Sequence, residues 1–178
     1  KGAISGKLVP VFCGSSYRNK GVQQLLDGVI DYLPYPGENG GISMVDADGK
    51  VIGEQEVRDD APARALAFKV INDQFGTLTF CRVYSGVIKK GDTLLNVTRG
   101  KKERIGRIVE VQAAATRDIE EVRAGDICAF VSMKDTETGD SLSDPASPVL
   151  LERMRFPDPV ISVSVEPKNR NDIDKMST

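Results

Sequence analysis

ALAFKVINDQFGTLTFCRVYSGVIKKGDTLLNV, the stretch from Ala65 to Val97, alternates short apolar runs with chain-reversal signals. The runs are Leu66 to Ile71, Leu78 to Tyr84, Val87 to Ile88 and Leu94 to Val97, separated by Asn72-Asp73, Gly76, Gly86 and Lys90-Gly91-Asp92. Such runs are too short for helices, and their aromatic and β-branched residues (Phe68, Phe80, Val83, Tyr84) suit a pleated, half-buried surface. Consecutive antiparallel strands follow, forming the front half of a small β-barrel.

Outward from this stretch the same grammar recurs. Gly91-Asp92 returns as Gly125-Asp126 and as Gly139-Asp140, each time ahead of an apolar run, which extends the barrel to about Leu151. Glycine supplies positive φ without steric cost, and aspartate hydrogen-bonds nearby backbone, so the pair predicts turns. These aspartates are read as turn caps rather than as metal ligands or bases. Further strands are expected over Ile105 to Val111 and Ala124 to Ser132. In the first, Ile105, Arg107, Val109 and Val111 should share one face, and Gly106, Ile108 and Glu110 the other.

The chain has 178 residues, 40% of them hydrophobic, enough for a substantial core in one or two domains. A net charge of -2 excludes a uniformly basic nucleic-acid binder, so any phosphate contact must come from a local patch. Histidine is absent, which removes Ser-His-Asp and Cys-His catalysis and imidazole metal sites. Cys13, Cys81 and Cys128 are far apart and odd in number, as expected of reduced thiols, and their apolar surroundings predict buried packing roles. No apolar run approaches a membrane span and no signal-peptide pattern opens the chain, so a cytoplasmic location without a membrane partner is expected.

Upstream, Leu8-Val-Pro-Val-Phe-Cys13 reads as a strand buried on both faces of a parallel sheet. Val22, Leu25, Leu26, Val29, Ile30 and Leu33 then mark one face of a helix, stopped by Pro34 and Pro36. A lone βα unit cannot cover its own apolar surfaces, so residues 1–36 are expected to be the end of a larger α/β domain. Residues 37–62, rich in Gly, Asp and Glu, read as a solvated linker with a small hairpin near Asp48-Gly49. Asp46-Ala-Asp48 fails as a calcium loop, because Lys50 and Val57 stand where ligands are needed. Its D-x-x-G match is too short to mean a GTPase motif.

One local patch stands out. Arg99, Lys101, Lys102, Arg104 and Arg107 place five basic residues in nine between two strands, as contact with a phosphate backbone requires. No aromatic residues are interleaved for base stacking, so alone the cluster also fits a solvated hairpin. After Phe156-Pro-Asp-Pro159, Ile161, Val163 and Val165 alternate with serines as in a one-sided strand, and Asn171 to Met176 resembles the first turn of a helix. Both ends thus read as cuts through neighbouring domains.

Together, Cys13-Gly-Ser-Ser-Tyr-Arg-Asn-Lys-Gly-Val22, Leu25-Leu-Asp-Gly-Val-Ile-Asp-Tyr-Leu-Pro34, Leu78-Thr-Phe-Cys-Arg-Val-Tyr-Ser-Gly86, Ala124-Gly-Asp-Ile127, Lys134-Asp-Thr-Glu-Thr-Gly-Asp140 and Phe156-Pro-Asp-Pro-Val-Ile-Ser162 resemble bacterial elongation factor G, in that family's order and over nearly the whole chain. The resemblance implies a mainly β fragment: an antiparallel translation-factor-type β-barrel preceded by one strand-helix unit from a truncated α/β GTPase domain. Its implied divisions are 1–36, the end of the GTPase domain; 37–62, the acidic linker; 63–155, the second-domain barrel; and 156–178, the start of the third domain. The implied parent is a GTPase that moves tRNA and mRNA on the ribosome and helps split ribosomes, using GTP/GDP and magnesium.

The resemblance also assigns residues. Gly14, Ser15 and Ser16 correspond to the loop that holds guanine through backbone N–H groups. The barrel is implied to pack on the GTPase and third domains and to touch small-subunit ribosomal RNA, with Arg99, Lys101, Lys102 and Arg104 as the candidate contact. The chain has no G-x-x-x-x-G-K-[ST], and Asn19-Lys-Gly-Val22 lacks the aspartate of N-K-x-D, so no catalytic or metal residue is assigned. The chain itself is expected to bind no cofactor and to hydrolyse no GTP. Asp73-Gln-Phe-Gly-Thr-Leu78, one residue shorter than usual, and Gln112-Ala-Ala-Ala115, in place of a common Met-His-Ala-Asn, point to a divergent or second-copy member. Two other readings remain: a non-enzymatic RNA- or protein-binding barrel, and another translational GTPase of the release factor three or ribosome-protection kind.

Overall fold

A computed structural model describes residues 1–38, 41–46, 48–73, 76–113, 115–151, 158, 160–164 and 166–167. In chain order, a 3-10 turn (Ser16–Arg18) and α1 (Val22–Tyr32) precede β1 (Ile42–Val45), β2 (Val51–Gln55), β3 (Arg64–Asp73), β4 (Gly76–Ser85), β5 (Ile88–Lys89), β6 (Thr93–Asn96) and β7 (Lys101–Arg104). They are followed by β8 (Ile108–Gln112), β9 (Ala115–Ile119), β10 (Glu121–Val122), β11 (Ile127–Val131), β12 (Ser141–Ser143) and β13 (Leu150–Leu151).

Eight strands form one antiparallel sheet in the order β7-β6-β12-β3-β4-β11-β8-β9, and β5 pairs with β10 beside it. The long β3–β4 hairpin is its spine, running from Arg64 opposite Ser85 to Asp73 opposite Gly76. The strand expected over Leu78 to Tyr84 is present as β4, and alternation along it sends Thr79, Cys81, Val83 and Ser85 inward. Cys81 and Val83 meet Ala65, Ala67, Ile88, Leu94, Cys128, Phe130 and Leu142 in a buried cluster. Burial of this set supplies the main drive to fold.

The stretch Ile105 to Val111 departs from expectation. The strand begins only at Ile108, and Ile105 lies in the preceding irregular segment, where its N–H donates to Asp92 O (2.8 Å) and its carbonyl accepts from Gly91 N (2.7 Å). This irregularity breaks strict alternation, so Ile105 and Ile108, expected on opposite faces, both enter the core. The strand expected over Ala124 to Ser132 is likewise shorter, because Ala124 and Gly125 are spent on the turn ahead of β11.

The expected helix is present as α1. Gly28 is its buried residue, and Phe12 lies over it, where any Cβ would clash with the ring. The expected strand over Leu8 to Cys13 does not form. With no parallel partner among the described residues these positions make no ladder, and Leu8, Val9, Val11 and Phe12 are exposed. Leu25, Leu26, Val29 and Ile30 on α1, and Leu33 just after it, are exposed with them.

The acidic stretch contains the expected hairpin, β1–β2, but does more than span solvent. β1 also pairs with β13, Met44 opposite Leu151, which makes a second, three-stranded sheet. Its turn is built by Asp46, whose Oδ1 accepts from Asp48 N (3.0 Å) and Lys50 N (2.9 Å), the turn-capping use that displaces a calcium reading. Arg64 fastens the hairpin to the barrel: buried at 6% exposure, it donates to Gln55 Oε1, Met44 Sδ (2.9 Å) and Ser147 Oγ (3.2 Å). The strand expected from Val160 does not form over 160–164, where Val160, Ile161 and Val163 are exposed. Val165 and the helix expected over Asn171 to Met176 lie outside the described residues. No helix among the described residues is long and apolar enough to cross a membrane.

Candidate functional site

The basic cluster lies on the β6–β7 hairpin. β6 and β7 pair from Thr93 opposite Arg104 to Asn96 opposite Lys101, and Gly100 turns the chain at φ 69°. A side chain there would be strained, so the turn needs glycine. Alternation then divides the cluster. Lys101 and Glu103 point to one side of β7, and Lys102 and Arg104 to the other.

The Lys101 side is a polar scaffold. Glu103, 5% exposed, accepts from Asp135 N (2.7 Å), Thr136 Oγ1 (3.1 Å) and Lys134 N (3.4 Å). Asp140, 4% exposed, accepts from Asn96 Nδ2 (2.9 Å), Arg99 Nε (2.8 Å) and Glu137 N (2.9 Å). Asn96 Oδ1 in turn accepts from Arg99 N (3.1 Å) across the hairpin turn. Two buried carboxylates therefore clamp the 134–140 loop to the hairpin. Their charge is met by many donors, as burial requires.

Arg99 also pairs with Glu137, and Lys101 with Asp135. The hydrogen bond from Arg99 to Asp140, with attraction from both carboxylates, pushes the guanidinium pKa further up. Arg107 pairs with Asp118 at 2.6 Å. Among the described residues Lys102 and Arg104 have no ion pair, and both are exposed. The fold thus separates the expected quartet into two pairs. The sequence analysis missed Glu103, Asp140, Asn96 and Thr136 as its supports; the signal for Glu103 was a single acid placed at strand period inside a basic run.

The candidate loop Gly14, Ser15 and Ser16 is closed by Ser15 N donating to Lys20 O (2.9 Å) and Lys20 N to Ser15 O (3.0 Å). Gly14 packs so closely on this bridge that a Cβ would stand 2.7 Å from Lys20 O, and Gly21, at φ 73°, would put one 2.8 Å from Cys13 O. Both glycines are needed for so tight a loop. Cys13 beside it is exposed, contrary to the burial expected of it, because the run it ends has no sheet to enter; Cys81 and Cys128 are buried as expected.

The three Gly-Asp pairs are turns of one construction. Asp92 Oδ2 accepts from Lys89 N (2.8 Å), Asp126 Oδ2 from Arg123 N (3.1 Å) and Asp140 Oδ2 from Glu137 N (2.9 Å), while Gly91, Gly125 and Gly139 take φ of 98°, 96° and 97°. Asp92 also lines a cleft of about 450 Å³ with Asp59, Asp60 and Asp144. There Asp59 is held by Arg123 and Ala124 N, Asp60 by Arg58, and Asp144 by Ala146 N. Among the described residues no three such side chains are grouped to hold a metal ion.

A family model for elongation factor Tu domain 2 matches residues 76–143, which hold β4 to β12 and the basic hairpin. Elongation factor G of Gluconobacter oxydans is 53% identical over 99% of this chain. Over nearly its whole length, the chain is similar in sequence to elongation factor G. Elongation factor G of Granulibacter bethesdensis is also 53% identical, again over 99% of the chain. The chain spans 26% of the length of each of these two relatives. A crystal structure of a Thermus thermophilus protein superposes with a TM-score of 0.71 at 27% identity, over 97% of this chain and 24% of that one. The antiparallel barrel, whose front half was expected over Ala65 to Val97, carries the match to elongation factor Tu domain 2.

Proposed function

We propose that this chain is the barrel-bearing part of a ribosomal translocation GTPase, whose full-length form couples GTP turnover to movement of tRNA and mRNA in the cytoplasm. The carrying observation is the 53% identity to elongation factor G over 99% of the chain, which includes both the loop at Gly14 and the barrel. On this reading residues 1–36 complete a GTPase domain, 37–62 lead into the barrel of 63–155, and 156–178 open the next domain. The exposed apolar face of α1 and the run Leu8 to Phe12 fit a role in packing against the rest of the GTPase domain, which covers such surfaces in α/β folds.

In the full-length protein the backbone N–H groups around Gly14, Ser15 and Ser16 would hold the guanine ring, and residues outside this chain would bind the phosphates and magnesium. Backbone N–H groups in a tight loop donate to the guanine oxygen whatever the side chain, so the serine at position 16 is compatible with that role. The hairpin that carries Arg99, Lys101, Lys102 and Arg104 is the candidate contact to small-subunit ribosomal RNA, where long-range attraction to phosphates would orient the barrel.

The test is GTP turnover by the full-length protein with and without ribosomes, with a variant altered in its phosphate-binding loop as the blank. Strong stimulation by ribosomes is expected. Turnover indifferent to ribosomes would overturn the reading and leave the barrel as a binding module.

A further inference from the structure

The four basic residues of the hairpin are not equivalent. Taking the hairpin as an RNA contact, we propose that Lys102 and Arg104 are its phosphate-contacting pair, while Arg99 and Lys101 are positioning residues that fix the hairpin to the 134–140 loop. Three observations carry the assignment.

The first is the ion-pair pattern. For Arg99 to reach a phosphate it would have to leave Glu137 and Asp140, and Asp140, at 4% exposure, would lose a cation it faces inside the protein. Uncovering a buried charge is costly. Lys101 would have to leave Asp135. Lys102 and Arg104, which have no ion pair among the described residues, can exchange water and counterions for phosphate oxygens with no such loss.

The second is spacing. Residues two apart on one strand point the same way and stand about 6.7 Å apart. That separation is of the order of the step between successive phosphates along one nucleic-acid strand, so both side chains can engage one backbone at once. The third is placement. β7 is the outermost strand of the eight-stranded sheet, with no strand paired on its free edge among the described residues, and Lys102 and Arg104 on it are exposed. Behind it, Glu103 anchors the strand through Asp135 N and Thr136 Oγ1, so the two cations are presented from an ordered base.

Charge on an edge strand also guards against unwanted strand pairing. Either sign of charge serves that purpose, whereas phosphate contact needs a positive one. Reversal therefore separates the two roles.

The experiment is equilibrium binding of the full-length protein to purified small ribosomal subunits over a salt series. Lys102→Gln with Arg104→Gln is expected to lower the slope of log K against log salt by about 1.4–1.8, the loss of two phosphate contacts. Lys102→Glu with Arg104→Glu is expected to keep the protein soluble and to weaken binding further. Arg99→Gln with Lys101→Gln should lower the melting temperature and leave the slope unchanged; if that variant fails to fold, Lys101→Gln alone, an exposed position, makes the same comparison. Equal flattening by the Arg99 and Lys101 variants would overturn the assignment while leaving the hairpin as an RNA contact. Unchanged binding and slope in every variant would remove the hairpin from the interface, and the reading on which the inference rests would fail with it.

Discussion

At the scale of single residues, burial decides what chemistry a group retains. Cys81 and Cys128 stand directly opposite each other on β4 and β11 inside the core, and burial pushes both thiols up, Cys128 to about 12. In the unfolded chain these thiols titrate near their ordinary value, so above about pH 9 the unfolded state loses protons that the folded state keeps. Stability from this source is full below pH 9 and falls as pH rises toward 12. Urea midpoints measured at pH 7, 9 and 10 should therefore fall more steeply for the native sequence than for Cys128→Ala, by up to about 1.4 kcal/mol per pH unit for each thiol removed; parallel curves would show that neither thiol is linked to folding. Arg64 is the converse case, a cation kept buried at some cost, its pKa lowered by desolvation and its Nε without a hydrogen-bond partner among the described residues. Arg64→Ala is expected to cost about 2–5 kcal/mol, as for other emptied buried sites, and Arg64→Met less than about 1.5. Equal losses in thermal denaturation would mean that the guanidinium bonds, not the stem, hold the β1–β2 hairpin. None of this was readable at Arg64 from sequence, where an arginine beside Ala63 and Ala65 carries no sign that Gln55 and Ser147 converge on it.

At the scale of elements, legibility followed how local the cause was. The turns were legible because a Gly-Asp pair acts within four residues: glycine takes φ near 97° and aspartate caps the backbone N–H three residues back, three times over. α1 was legible because its 3.6-residue period and the prolines after it are local too. The Ile105 segment was not, since its bend is fixed by backbone bonds to Gly91 and Asp92, and the strand over Leu8 to Cys13 was not, since a parallel strand exists only when a partner is present. The quartet at the hairpin was legible as a basic cluster and illegible as two pairs, because the loop that captures Arg99 and Lys101 lies more than thirty residues away. The equivalence of the three turns makes a graded prediction. Asp92→Ala and Asp126→Ala each remove a single exposed cap, and chemical denaturation should find losses of about 0.5–1.5 kcal/mol. Asp140→Ala removes the same cap plus the buried bonds to Asn96 and Arg99, and should cost about 2–4 kcal/mol. Three equal losses would show that the scaffold under the hairpin contributes no more than a turn.

At the scale of the whole molecule, the barrel and the N-terminal segment solve the burial problem unequally. Residues from β3 to β12 enclose a continuous core, while α1 turns Leu25, Leu26, Val29 and Ile30 toward solvent, with Ile30 79% exposed and Leu8, Val9 and Val11 also exposed. An exposed apolar stripe of this kind is unstable against association, so the 178-residue chain in isolation should self-associate through it. Leu26→Glu with Ile30→Glu should make the isolated chain more nearly monomeric in sedimentation velocity and leave the melting of the barrel unchanged, because neither residue belongs to the barrel core. In the full-length protein, where the proposed GTPase domain covers the same stripe, the pair should instead be destabilising by several kcal/mol, since two charges would be forced into an apolar interface. That reversal of sign between the short and the long chain is the decisive observation. Improved solubility in both would mean that the stripe stays exposed in the full protein and that α1 serves an external partner; a loss in both would mean that α1 already packs against the barrel in solution.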